Sequence, residues 1–219
     1  MFPVPEPIAF KKLTSVDQWI LSEANELVER ILPDCNLLDF HKPAIEIRGF
    51  TWNFFADHII EMLKGRCFNS EGTFTEDEQK SGWFTLHEVL KIITLALAPI
   101  SPFVTDQIYR ELYDAQGSHV QNYPSIKKEW KSEIAQFTEL VLQTNAGFWK
   151  FKRENGLSLR QGIPEAYISE NMKPWMKDLQ AMHAIDKISF GKPKSNEFVE
   201  ITLPEMESES IYILPPKNE

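Results

Sequence analysis

The chain has 219 residues, of which 42% are hydrophobic and 12% aromatic, and its formal net charge is −9. This apolar content is enough for a core, and the length allows one domain of ordinary size with a small second one. The acidic balance, with a pI near 5.2, argues against a surface coated in basic charge, so we expect no DNA partner. It leaves open contact with RNA through one local basic patch.

Nothing in the sequence indicates export or membrane insertion. Cys35 and Cys67 lie far apart and form no C-x-x-C pair, which favours the reduced thiols of a cytosolic protein. No run of about 18 apolar residues is present, so we expect no membrane span. The start, MFPVPEPIAF, lacks the basic residues and the apolar stretch of a signal peptide. The expected location is therefore cytoplasmic.

Apolar residues at helical spacing predict five helices in the first three quarters of the chain. In chain order they span about residues 15–32, 41–66, 75–98, 101–117 and 132–154. Ser15 with Gln18 is typical of a capping box, and Pro33 predicts the end of the first helix. Thr75 with Glu78 predicts the same kind of start for the third helix. This part reads as an antiparallel helical bundle.

The pattern changes after residue 160. Short segments rich in β-branched and aromatic residues predict strands near 165–168, 186–190, 197–203 and 210–214. The stretch ENMKPWMKDLQAMHA, between the first two strands, predicts one helix. We therefore expect two domains: a helical bundle at 1–160 and a small α+β subdomain at 161–219.

Motifs for catalysis or metal binding are missing from the sequence. HEVLK at 87–91 starts like the helix of a zinc protease but lacks the second histidine that a zinc site needs. Neither G-x-x-x-x-G-K-S/T, G-x-G-x-x-G nor G-x-S-x-G occurs. We expect no catalysis, no metal and no cofactor in this chain itself.

The stretch FTWNFFADHIIEMLKGR, residues 50–66, is the most unusual part of the sequence. On an α-helical wheel of about 100° per residue, one face holds Ile45, Trp52, Phe55, Ala56, Ile59 and Leu63. Arg48 and Arg66 fall at the two ends of this stripe, and Ile47, Phe50 and Phe54 fall on the opposite side. Core packing explains most of the rings. A cation on an apolar stripe costs free energy unless it meets an anion or water, and an arginine beside a tryptophan can accept a stacked base and its phosphate.

This stretch resembles the second helix of the anticodon-binding bundle in class I aminoacyl-tRNA synthetases. The family pattern, aromatic-x-W-N/S-x-F-x-D-x-Y-I/L-E, is matched at seven positions: Phe50, Trp52, Asn53, Phe55, Asp57, Ile60 and Glu61. The sequence departs from it at His58 and Ile59. Taken alone, the motif is moderately specific.

Further segments resemble the family in the family's own order. SVDQWILSEANELVE is similar to the first bundle helix, and SHVQNYP to a short stretch after the fourth helix. LALAPISPFVTDQIYREL resembles the junction of the third and fourth helices, with Asp106 and Tyr109 in place of Glu and Trp. NAGFWKFKRENGLSL is similar to the end of the fifth helix in valyl members of archaeal type. The resemblance covers about residues 13–165 and favours the valyl group, with isoleucyl, leucyl and methionyl members as alternatives.

The resemblance implies that the chain recognises a tRNA anticodon stem and loop, with valine tRNA as the expected partner. The catalytic motifs of the family, His-x-Gly-His and Lys-Met-Ser-Lys-Ser, are absent. ATP and Mg would therefore belong to a catalytic domain of the same polypeptide, which is a second expected partner. The candidate RNA-binding residues are Lys42, Arg48, Trp52, Phe55, Lys64, Arg66, Lys150, Lys152 and Arg153. A freestanding helical module that binds another protein is the alternative from a different class.

Overall fold

The structure, a computed structural model, describes residues 2–204, 206 and 209–216. The α-helices are α1 (Ser15–Asn36), α2 (His41–Gly49), α3 (Glu61–Phe68), α4 (Glu76–Leu97), α5 (Pro102–Leu112), α6 (Thr138–Glu154) and α7 (Met176–His183). A π-helix spans Phe50–Ile60, and 3-10 turns span Phe10–Lys12, Ser118–Val120, Glu133–Phe137 and Glu170–Trp175. The strands are β1 (Ile163–Ile168), β2 (Ile185–Phe190), β3 (Val199–Thr202) and β4 (Ser210–Leu214).

The predicted fold class is confirmed: the chain is mainly helical and carries a small α+β part. It divides into two compact units. The first comprises Met1–Ile60 and Phe74–Glu133, and the second comprises Glu61–Thr73 and Ile134–Glu219. α6 thus groups with the sheet. The domain boundary between residues 160 and 161 stays a prediction, since compactness alone does not show which segments fold independently.

The first unit is built on α1, whose inward side chains Trp19, Ile20, Leu21, Leu27 and Ile31 are fully buried. A polar cluster fixes the start of this helix against α4. The Asp17 carboxylate accepts hydrogen bonds from the Ser81 hydroxyl at 2.5 Å and from the Thr14 hydroxyl at 2.6 Å. Because a buried carboxylate is costly without donors, these bonds specify how the two helices align.

Several predicted helix ends differ from the structure. The N-cap of α1 is Thr14, whose side chain accepts a hydrogen bond from the Asp17 N–H. The predicted capping box of Ser15 with Gln18 is therefore wrong. The same helix runs through Pro33 to Asn36. A proline near the end of a helix removes only one backbone hydrogen bond, and the buried Cys35 lies beyond it. By contrast, the capping box of Thr75 with Glu78 is confirmed.

The later helices are shorter than predicted. α5 ends at Leu112 and does not reach residue 117. α6 begins at Thr138, because residues 133–137 form a 3-10 turn before the α-helix starts. Its end at Glu154 agrees with the sequence pattern.

The second unit contains a four-stranded sheet in the order β2-β1-β4-β3. β1 pairs in parallel with β2, and β4 pairs antiparallel with both β1 and β3. The 3-10 turn and α7 form the crossover between β1 and β2. All four strands lie within about two residues of the predicted segments.

α3 packs closely on α7 in the second unit. A Cβ placed on Gly65 would lie 2.7 Å from the Cβ of Ala181, so only glycine fits at this crossing without a shift. In the part of the chain that the structure describes, no helix is long and apolar enough to cross a membrane. Among those same residues, no group of three His, Cys, Asp or Glu side chains could hold a metal ion.

Candidate RNA interface

The aromatic stretch adopts a π-helix over Phe50–Ile60, directly after α2. In a π-helix each N–H bonds five residues back instead of four, and such segments occur frequently at functional sites. Successive side chains are then separated by a smaller angle than on an α-helical wheel. The predicted single stripe of Ile45, Trp52, Phe55, Ala56, Ile59 and Leu63 is therefore wrong. Phe55, Ile59 and Leu63 are buried, whereas Ile45, Trp52 and Ala56 are exposed.

The π-helix separates core rings from a surface ring. Phe54 packs edge-on against Trp19 with ring centroids 5.5 Å apart, and its centroid lies 5.1 Å from that of Phe50. Phe55 is only 6% exposed, so its ring is not available to a base and it does not fit the predicted RNA contact. Trp52 is 67% exposed, which leaves a large aromatic face in water.

Arg48 lies four residues before Trp52, about one helical turn away. Its side chain is exposed, and it forms no hydrogen bond or ion pair with any residue that the structure describes. The alternative of a buried ion pair for this arginine is therefore not observed. This segment thus exposes a planar cation and an aromatic ring four residues apart in sequence.

A turn at the start of α2 adds further exposed groups to the first unit. Lys42 is exposed, and its Nζ lies 3.9 Å from Asp34 Oδ2, which places it beside the last turn of α1. Between these two residues, Leu37 and Leu38 are 80% and 78% exposed. Leu38 has a φ of 60°, a left-handed conformation that costs a branched residue free energy. Sequence reasoning missed both leucines, because a leucine pair at a helix end reads as core.

Arg66 does not fit the predicted RNA contact. It is 1% exposed, and its Nε lies 3.2 Å from Oδ1 of Asp178 on α7. The α-helical wheel placed it on the same stripe as Arg48, but the two arginines have opposite environments. Arg66 is a structural residue of the second unit.

Lys152 is also unavailable to a ligand, because its side chain is fully buried. Its Nζ donates to the backbone carbonyls of Leu159 and His183, both at 2.8 Å. Burial lowers the pKa of this amine below its usual range. Lys152 therefore does not fit the predicted contact with RNA, and its ammonium instead joins two backbone segments inside the second unit.

The remaining candidates in the second unit are exposed. Lys64 pairs with Glu61 on the same helix, with N–O distances of 3.0 and 3.3 Å. Lys150 and Arg153, near the end of α6, are exposed and form no ion pair with a described residue. Cations near a helix C-terminus also interact favourably with the helix dipole, so their position alone does not identify a ligand.

The candidate groups match the chemistry that binds single-stranded RNA. Aromatic faces and guanidinium planes stack on unpaired bases, and cations neutralise phosphates. In the first unit the structure places Lys42, Arg48 and Trp52 on the surface of one helical segment, His41–Ile60. In the second unit it leaves Lys64, Lys150 and Arg153 exposed.

Comparison with known proteins identifies close sequence relatives. Valine–tRNA ligase from Aeropyrum pernix is 36% identical over 202 residues, which cover 90% of this chain and 24% of that protein. The corresponding ligase from Pyrobaculum aerophilum is 34% identical over 189 residues, 86% of this chain and 24% of the relative. A third valine–tRNA ligase, from Archaeoglobus fulgidus, is 33% identical over 160 residues, which cover 72% of this chain and 18% of that protein. The chain thus spans about a fifth to a quarter of the length of the curated relatives it matches.

A family model, described as the anticodon-binding domain of tRNA ligase, matches residues 17–167. The matched region includes α1 to α6 and most of β1. Since the match extends over more than half of the sequence, the chain belongs to the family of anticodon-binding domains of tRNA ligases.

Proposed function

We propose that the chain recognises the anticodon stem and loop of valine tRNA, as part of an enzyme that ligates valine to this tRNA. The observation that carries the proposal is the exposed Arg48 and Trp52 pair, which stands on the surface of an anticodon-binding domain. The valyl assignment is supported by the similarity to valine–tRNA ligases over 90% of the chain.

In this proposal Trp52 stacks on an unpaired base of the loop, and Arg48 donates to a base edge or a phosphate. A guanidinium can stack and donate hydrogen bonds at the same time, whereas a lysine ammonium cannot stack. Lys42 contributes a point charge at the α1–α2 turn, where Leu37 and Leu38 offer an apolar contact for base faces. Phosphate contacts orient the RNA, and base contacts supply the specificity.

Valine codons all begin with GU, so valine anticodons share A and C at their second and third letters. A valyl-specific site therefore reads these two bases and tolerates the first. Isoleucine, leucine and methionine tRNAs share the second letter A but carry a third letter other than C, so they serve as natural competitors that test the reading of the third letter.

The cofactors of the proposed enzyme belong elsewhere in its polypeptide. ATP and Mg supply the adenylate chemistry of ligation, and that chemistry needs a nucleotide-binding motif that this sequence lacks. The described residues offer no cluster of donors suited to a metal ion. We expect the purified chain to show no valine-dependent pyrophosphate exchange above a blank.

The test is direct binding of the 219-residue chain to valine tRNA and to a non-cognate tRNA, measured by gel shift at fixed salt. The proposal predicts tighter binding of valine tRNA, and loss of that preference when A and C of the anticodon are replaced. Equal binding of both tRNAs would contradict the valyl assignment. Absence of binding to either would favour a protein-interaction module.

A further inference from the structure

The loop after α6 carries exposed cations in an otherwise acidic chain. Arg153 is the residue before Glu154, at which α6 ends, and Arg160 lies six residues after Glu154. Both arginines are exposed, and neither forms an ion pair with a residue that the structure describes. The net charge of the whole chain is −9. Apart from the exposed Glu154 beside Arg153, the segment therefore presents positive charge that pairs with no carboxylate of the described residues.

One residue holds the loop at two points. The backbone carbonyl of Lys152 accepts the N–H of Leu157 at 2.8 Å. Its buried ammonium donates to the carbonyl of Leu159 at 2.8 Å and to that of His183, the last residue of α7, at the same distance. The side chain thereby joins the loop to the C-terminus of α7, where the helix dipole favours a cation.

Further hydrogen bonds fix the rest of the loop. The side-chain amide of Asn155 donates to the carbonyl of Phe151 at 2.8 Å. The Ser158 hydroxyl accepts the N–H of Arg160 at 3.3 Å, and the carbonyl of Ser158 accepts the N–H of Gln161 at 3.0 Å. The backbone that carries both arginines is thus ordered before any ligand arrives, which reduces the entropy lost on binding.

His183, whose carbonyl accepts from the buried ammonium of Lys152, is itself fixed by neighbouring side chains. Nε2 of His183 lies 3.2 Å from Oδ1 of Asn145, and the His183 ring packs at a tilt against Phe148 with centroids 4.7 Å apart. All four side chains, including that of Lys152, are buried. An ammonium in such a place is stabilised only while its carbonyl partners stay in position. Geometry of the loop and burial of Lys152 therefore depend on each other.

We propose that the Arg153–Arg160 loop binds phosphates of the RNA backbone, and that Lys152 is its positioning residue. The inference rests on the proposed function, since it assumes that the chain binds tRNA. It adds a second contact surface, in the second unit, and a new contact residue, Arg160. Because phosphates carry no sequence information, this surface contributes to the binding of every tRNA alike.

The contact is tested by measuring the affinity of the 219-residue chain for a valine tRNA transcript at several salt concentrations. Arg153→Gln and Arg160→Gln should each make the slope of log K against log salt less steep by about 0.7–0.9. Each change should lower the affinity for valine tRNA and for a non-cognate tRNA by the same factor. Lys194→Gln, at an exposed cation of the same unit that pairs with no described residue, is the control and should leave the slope unchanged.

The positioning role is tested with a double-mutant cycle. Lys152→Met keeps the volume of the side chain but removes its two bonds, and in this background Arg160→Gln should have little further effect on RNA binding. A purely structural Lys152 would instead lower the melting temperature and leave the effect of Arg160→Gln unchanged. If Lys152→Met does not fold, Lys152→Gln replaces it in the cycle, with the same expectation of non-additivity.

The outcomes separate the two proposals. If both arginine variants bind valine tRNA with the salt slope of the unmodified chain, this inference is wrong and the proposed function still stands. Additive effects in the cycle overturn the positioning role. Failure of the unmodified chain to bind tRNA overturns the proposed function and this inference together.

Discussion

Arg66 and Asp178 form an ion pair inside the second unit, with Nε of the arginine 3.2 Å from Oδ1 of the aspartate. The two side chains are only 2% and 6% exposed. The pair connects α3 and α7, the two helices that cross at Gly65. A buried ion pair contributes little net free energy compared with apolar residues of equal shape, but removal of one partner leaves a buried charge uncompensated.

Arg66→Met should therefore destabilise the second unit strongly, by about 3–5 kcal/mol, because the Asp178 carboxylate stays buried without its partner. Urea unfolding followed by circular dichroism measures this loss. Lys64→Met, on the same helix in an exposed pair with Glu61, is the matched control and should change stability by about 0–1 kcal/mol. A stable Arg66→Met protein with weakened tRNA binding would restore Arg66 as an RNA contact.

Arg48→Gln should keep the melting temperature within a few degrees, because the exposed guanidinium has no partner among the described residues. Loss of one set of charged hydrogen bonds costs about 1.5–3 kcal/mol, which corresponds to a roughly 10- to 150-fold loss in affinity for valine tRNA. The loss should be largest for tRNAs with an intact A and C in the anticodon. Lys128→Gln, at another exposed cation of the first unit that has no ion-pair partner in the described part of the chain, serves as control. Unfolding of the Arg48 variant, or unchanged affinity, would show that the site is assigned wrongly.

Trp52→Ala should weaken RNA binding by about 1–3 kcal/mol, the range typical of one base stacked on an aromatic ring. Stability should change little, since the side chain is 67% exposed. Quenching of tryptophan fluorescence by tRNA should fall in this variant. Phe103→Ala removes another ring of the first unit that is 90% exposed but lies outside the proposed surface, and it should bind tRNA normally. Equal effects of the two changes would indicate a general apolar contact instead of stacking by Trp52.

Salt dependence counts the phosphate contacts. Five of the cations nominated from the sequence are exposed: Lys42, Arg48, Lys64, Lys150 and Arg153. If these five meet phosphates, the slope of log K against log salt should be roughly −3.5 to −4.5, between the single-strand and duplex coefficients, and a sixth contact by Arg160 should make it steeper by about 0.7–0.9. Affinities at four or more salt concentrations measure it. A slope near zero would favour the protein-interaction alternative.

The Glu165–Lys187 pair should make the sheet sensitive to acid. A hydrogen bond from Lys187, on the neighbouring strand β2, lowers the pKa of the Glu165 carboxyl below its ordinary value of 4.5. A carboxyl whose pKa is lower in the folded state contributes stability above its unfolded pKa and loses it as the pH falls through the folded pKa. Stability should therefore decline as the pH drops below about 4.5, and Lys187→Met should reduce this decline. Urea midpoints at neutral and acid pH measure the difference, and identical acid profiles of the two proteins would contradict the assignment.

Local sequence patterns were enough to predict where helices give way to strands and the order in which they follow one another. Local signals such as the capping box of Thr75 with Glu78 act over a few residues, so they are readable without knowledge of the fold. The change from helical to strand periodicity near residue 160 likewise follows from local side-chain patterns. The family was also recognisable, because its motifs are contiguous segments in a fixed order.

Which of the candidate side chains reach the surface could not be read from the sequence and depends on the fold. Trp52 and Phe55 were placed on one face by an α-helical wheel, but the π-helix of Phe50–Ile60 turns one outward and the other into the core. Arg66 and Lys152 look like binding cations in the sequence, and their partners, Asp178 and the carbonyls of Leu159 and His183, come from other segments. A buried charge is stabilised by groups that the fold brings to it, and spacing along one helix contains no information about those groups.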